Sequence, residues 1–236
     1  MHAAPTDLSL PAMPRHYSKL YRELRAVEPG DYHRIIRMYE EQEQAIGRLD
    51  VEEHFELTVH YVDALFETGA YREHQLMVDL VIHASIRHDI RYMPGRQEKV
   101  FEQQLFRKAA SAFRIGEYAT AEHVLRELIR MHPEEPVYAR FLRTTLFRQQ
   151  QPTLQFGRAA CIFCLLLTAL VVTINLLVVQ NFYPAYGPLM SWVCIDIFLV
   201  GMLALAGAYG LAYYRCRREA TQFRAAQANK RRADSL

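Results

Sequence analysis

Ten histidines and four cysteines are the side chains best equipped for metal or redox chemistry in this sequence. A zinc site needs three or four such ligands, and one helix presents two imidazoles together only when they stand three or four residues apart. His54 and His60 are six apart and His83 and His88 five, HExxH is absent, and no cysteine lies in the first 157 residues. These histidines read as solvated or core residues, and no metal is expected. Cys161-x-x-Cys164 has redox spacing but opens an apolar run without strand-turn-helix context, so both thiols read as small packing groups. The chain has no Walker loop, no GxGxxG and no GxSxG. Neither a catalytic constellation nor a cofactor is therefore expected, and nothing supports an enzyme.

One further residue could carry chemistry. Asp196 is the only charged side chain between Ala159 and Tyr214, a run of fifty-six residues. At about 1.5 Å per helical residue, Asp196 sits about 10 Å in from Leu189, and Asn175 about 7 Å in from Gln180. An antiparallel hairpin brings the two to similar depth, so Asp196 is expected to face the bundle interior with Asn175 as partner. The pair reads either as a structural hydrogen bond or as a proton or ion site.

The elements that must hold these residues divide the chain in three. Residues 1–157 carry 20 Lys/Arg and 23 Asp/Glu, a net of −3, whereas residues 215–236 carry seven basic against two acidic side chains, a net of +5. Between them, about 159–179 and 189–214 are each long and apolar enough to span about 30 Å of hydrocarbon. Pro184 and Gly187-Pro188 break the connection, giving a two-span hairpin over about 155–214. Arginines flank both outer ends (Arg148, Arg158, Arg215, Arg217) and the loop is uncharged, so both termini are expected in the cytoplasm of a plasma or inner-membrane protein. Residues 1–14 lack a continuous apolar core and read as a disordered amino terminus rather than a signal peptide. The tail 215–236 reads as a cytoplasmic anchor touching anionic head groups, not nucleic acid. Gly201, Ala204, Ala208 and Ala212 form a small-residue stripe, serving either contact with the first span or a homo-oligomer.

The remaining residues are helical in pattern, which makes the fold class all-α. Apolar positions recur at three and four, predicting helices at about 15–28, 31–46, 51–67, 71–89, 96–114, 117–131 and 134–148. Asp50 and Glu53 read as a capping box before the third. Three turns share Gly-x-Tyr, at Gly30–Tyr32, Gly69–Tyr71 and Gly116–Tyr118.

The third unit resembles a tetratricopeptide repeat: Leu105, Ala109, Ala112, Gly116, Tyr118, Ala121, Leu125, Leu128, Ile129 and Pro133 fall at that family's spacing. Small Ala109 and Ala121 suit a helix crossing, Gly116 a tight turn, Tyr118 a wedge and Pro133 a stop. The second unit keeps Leu65, Gly69, Tyr71, Val78, Val81 and Ile82, but has His74 and Val62 where the family favours smaller residues. The first keeps little beyond Gly30 and Tyr32, and the 39- and 47-residue spacings exceed the regular repeat. The resemblance spans about 15–150 and implies an irregular repeat domain whose first helices line a partner groove. The groove positions it implies are Glu56, Val59, His60, Asp63, Phe66 and Glu67, then Gln103, Phe106, Arg107, Ala110, Phe113 and Arg114. Phe66 and Phe113 read equally as core between repeats.

The expected function is a membrane-anchored, cytosol-facing adaptor or scaffold that docks a protein partner. The alternative is an accessory subunit of a transport or channel assembly, with the hairpin and Asp196 as its working part. A chain cut at residue 155 is expected to separate them, since only an adaptor fragment would still bind its partner in solution.

Overall fold

A computed structural model of the protein describes residues 17–93, 99–179 and 187–234. The expected amino-terminal disorder, Pro94-Gly95 and most of the loop between the apolar runs lie outside the described residues. Every described element is a helix, and among them no strand occurs. In chain order they are α1 (Lys19–Arg25), α2 (Tyr32–Glu41), α3 (Glu43–Ile46), α4 (Val51–Glu67), α5 (Tyr71–Arg87), α6 (Val100–Ile115), α7 (Tyr118–Met131), α8 (Pro136–Gln149), α9 (Gln151–Ile174), a π-helical turn (Asn175–Val179) and α10 (Gly187–Asp234). The chain falls into two compact units that meet between Phe101 and Glu102.

The first unit is built around α4, which buries ten of its seventeen residues. Leu57, Val59, Val62 and Ala64 are fully enclosed, while α2 and α5 pack along it. Ser18 caps α1 by accepting the Tyr21 N–H at 3.1 Å. The Glu53 carboxylate in turn accepts the Ser18 N–H at 2.9 Å. Glu53 was expected to complete a capping box with Asp50; instead Asp50 makes no side-chain cap bond, and Glu53 closes the box of a helix 35 residues earlier. The helix expected over 31–46 is interrupted at Gln42, whose N–H bonds the Tyr39 carbonyl three residues back, a tightened turn that ends α2.

The Gly-x-Tyr turns share one conformation. Gly30, Gly69 and Gly116 adopt φ of +103°, +81° and +89°, and each tyrosine begins the next helix. At the second and third turns the residue after glycine bonds five residues back, Ala70 to Leu65 and Glu117 to Ala112. That six-to-one bond with a left-handed glycine is the Schellman stop. Phe66 meets Tyr71 edge-on at 5.8 Å and Phe113 meets Tyr118 at 5.5 Å, the same aromatic wedge in both hairpins. The fold is thus all-α, with packed helix pairs of helical-repeat character.

In the second unit α7 packs on α8, and both pack on α10. Ala109 of α6 joins Val124, Leu125, Leu128, Ile129, Leu142 and Leu146 in one core. Two helices, Leu154–Leu177 and Trp192–Ala233, are long and apolar enough to cross a membrane by length and composition. The 48 residues of α10 extend about 72 Å at 1.5 Å per residue, about twice a hydrocarbon core. The surplus is not a separate tail. Cys216 and Ala220 are buried in the α7–α8 core with Phe223 packed against it, so the segment expected as a lipid-contacting anchor also packs as a structural helix on the last hairpin. α8, α9 and α10 all belong to the second compact unit.

Candidate functional site

The groove implied by the repeat resemblance is largely closed. On α4, Glu56, Val59 and Asp63 are buried, and His60 and Phe66 half-buried; only Glu67 is exposed. The cause is legible at Glu56: α1 lies over it, the Tyr21 hydroxyl donates to its carboxylate, and Arg25 donates to the same hydroxyl at 2.7 Å. Burial first, and then the Glu56 bond, push the Tyr21 phenol up to about 12. On α6, Gln103, Phe106, Arg107, Ala110 and Phe113 are half-buried, and Arg114 is exposed. Phe106 faces Tyr138 and Phe141 of α8 at 5.7 and 5.8 Å, and Phe113 faces Phe141 at 5.4 Å. Both rings are therefore packed against α8 on one side and only partly open. Of the signature positions, Ala109 and Ala121 are fully buried, and Pro133 is buried just past the end of α7.

An open surface exists elsewhere in the first unit. A groove of about 770 Å³ runs between α2–α3, α4 and α5, floored by Tyr39, Phe55, Thr58 and Val81 and rimmed by Leu80 and His83. Its floor is held by the Tyr39–Tyr61 stack at 4.2 Å and the Tyr39–Thr58 hydroxyl pair at 3.0 Å. Beside it α5 leaves Leu76 and Leu80, four residues apart, 76% and 58% exposed. Such a pair on one helical face presents an apolar ridge. The sequence signal was the unbroken L-x-x-x-L register of α5, which core burial of Val78, Val81 and Ile82 masks in any count of apolar residues.

Within the apolar helices, the small-residue stripe faces α9. A Cβ on Gly201 would stand 2.8 Å from the Cys164 Cβ, and one on Gly157 would stand 3.1 Å from the Ala208 Cβ. Ala212 is buried and Ala204 exposed, so the seam runs through Gly201, Ala208 and Ala212 and is spent on the hairpin itself. The expected Asn175–Asp196 pair does not form. Asn175 opens the π-helical turn and its buried Oδ1 has no hydrogen-bond partner, while Asp196 lies on the exposed side of α10. The helix phase decides this: Asp196 is five residues from the inward-facing Gly201, which turns it off the seam.

A second open site lies in the second unit, between α8 and α10. It holds about 920 Å³ and is lined by Arg140, Arg143, Arg217, Arg224, Arg231 and Arg232, with Glu134 as the one carboxylate of its lining. Among the described residues no three His, Cys, Asp or Glu side chains converge as a metal-binding set. Comparison of the chain with protein-family models, with curated proteins and with solved structures finds no match in any of the three.

Proposed function

We propose that the chain is a membrane-anchored, cytosol-facing adaptor of tetratricopeptide-like construction, which holds a protein partner at a membrane and carries out no catalytic step. The observation that carries this reading is α10, one helix that begins as an apolar span and ends by burying Cys216 and Ala220 among α7 and α8. A helix that runs from the apolar span into the α7–α8 core ties that second helical unit to its membrane hairpin without a flexible linker. The partner surface best supported is the α5 ridge of Leu76 and Leu80 with its adjoining groove, since the α4 and α6 faces are occupied. Flanking arginines and the uncharged loop favour cytoplasmic termini.

A cut at residue 155 no longer separates the two functional readings, because it would strip Cys216, Ala220 and Phe223 from the core of the last hairpin. The full chain in mild detergent serves instead. An adaptor loses its co-purifying partner on Leu76→Glu with Leu80→Glu and keeps it on Asp196→Asn. The opposite pattern favours a transport or channel subunit. That second reading has one observation behind it: a carboxylate on the outward face of an apolar helix is costly in lipid unless another chain or water covers it. Reporters fused after Leu236 and within Tyr183–Gly187 should read cytoplasmic and external; a reversal removes the cytosolic adaptor.

A further inference from the structure

The arginines between α8 and α10 are not equivalent. Arg217, Arg224 and Arg231 recur at seven-residue intervals, which sets them on one face of α10 about 10 Å apart. The two distal ones are already engaged: Arg224 donates to the Pro133 and Glu134 carbonyls at 2.7 Å each, and Arg231 pairs with the Glu134 carboxylate at 3.3 Å. At the other end Arg143 lies over the Tyr213 ring, 5.4 Å from its centroid. These contacts fix an antiparallel register in which Arg140 of α8 comes level with Arg217 of α10. Both side chains are exposed and make no hydrogen bond or ion pair among the described residues.

Two unpaired guanidinium groups brought level across a groove, one turn from a third, repel one another unless an anion lies between them. Guanidinium groups match the paired oxygens of a phosphate. The level is also informative. Arg217 stands three residues beyond Tyr214, the last residue of the apolar stretch, or about 5 Å along the helix. We propose that Arg140, Arg143 and Arg217 form a binding site for a phosphate group, filled by the head group of an anionic phospholipid. The site rests on the groove alone; its lipid source rests on the membrane reading, and the test separates the two.

The full chain in detergent is offered phosphatidylglycerol or phosphatidylcholine and its retained lipid is read by native mass spectrometry. In a second arm, the chain in phosphatidylcholine nanodiscs is titrated with inorganic pyrophosphate. Wild type should retain phosphatidylglycerol in preference, and Arg140→Ala with Arg217→Ala should weaken that retention about tenfold or more. Arg215→Ala with Arg218→Ala removes the same charge from exposed positions on α10 that do not line the groove, and should leave retention nearly unchanged. Equal losses in the two double variants, or no preference for either anion, would overturn the site. Pyrophosphate binding that depends on Arg140 and Arg217, without lipid preference, would keep the site and overturn its lipid source. Neither arginine has a partner to lose in the fold, so the unliganded variant should melt with wild type.

Discussion

Arg224 reaches back 91 residues to donate to the carbonyl of Pro133 at 2.7 Å, and its other nitrogen takes the carbonyl of Glu134. The turn that ends α7 thus has its exposed acceptors satisfied from the far end of α10. Ninety residues and both apolar helices intervene, yet the contact is as local in space as a helix cap. Arg126 adds a second tie, pairing with Glu219 at 2.6 Å while lying over the Phe223 ring.

Arg224→Ala should destabilise the second unit by about 1–3 kcal/mol, because two charge-assisted bonds to carbonyls are lost. Arg224→Lys should recover part of this, since an ammonium cannot fork to both oxygens. Thermal melting of the full chain in detergent reads the effect; a melt unchanged by alanine would show that the tail does not stabilise the hairpin.

Gly116 has open space where a Cβ would go, so any cost of substitution there is backbone strain at φ +89°. Gly116→Val should cost about 1–2 kcal/mol and Gly116→Asn less, as asparagine tolerates the left-handed region. Ala121→Leu, by contrast, should cost about 1–3 kcal/mol through overpacking at a fully buried position. If asparagine and valine melt alike, strain is not the cause at Gly116.

Tyr21 and Tyr61 both have hydroxyls pushed up to about 12, each by burial first, then by Glu56 and Glu40 respectively. Above pH 10 an unfolded tyrosine has lost its proton while these two keep theirs. The folded state then binds more protons than the unfolded one, so stability must fall as pH rises from 10 to 12. Tyr61→Phe should flatten that fall and leave the neutral-pH melt nearly unchanged, since the hydroxyl's bond to Glu40 is long at 3.2 Å. An alkaline denaturation series of wild type and variant measures both slopes; identical slopes would sink the assignment.

Gly201→Ala should loosen the α9–α10 seam by about 1–3 kcal/mol, because its new methyl meets the Cys164 Cβ at 2.8 Å. Adding Cys164→Gly exchanges knob and hole and should restore part of the loss, less about 1 kcal/mol for glycine inside a helix. The coupling in a double-mutant cycle, read by melting in detergent, is the observable. Strict additivity would place the two residues out of contact.

Local signals carried most of the helix map. The left-handed glycines of the Gly-x-Tyr turns and the stop at Pro133 depend on neighbours within a few residues, so they are legible in the chain itself. The same holds for the two apolar helices, whose length and composition need no partner to interpret. What depended on distant residues was misread. Glu53 looked like the partner of Asp50 because spacing alone cannot tell that Ser18, 35 residues away, offers its N–H.

The sequence by itself determined the all-α class, the turn chemistry and the two apolar helices, because each follows from short-range periodicity and backbone preference. Only the tertiary structure decided which faces remain open. Phe106 and Phe113 have the residue type and spacing of groove anchors, but Tyr138 and Phe141 cover them. Cys216 and Ala220 look like part of a basic tail, but the antiparallel return of α10 carries them into the core. Asp196 could have faced the seam or left it, and the phase set by close packing at Gly201 turned it outward. Exposure is a property of the neighbours a residue meets, and those neighbours are brought by the fold from tens of residues away.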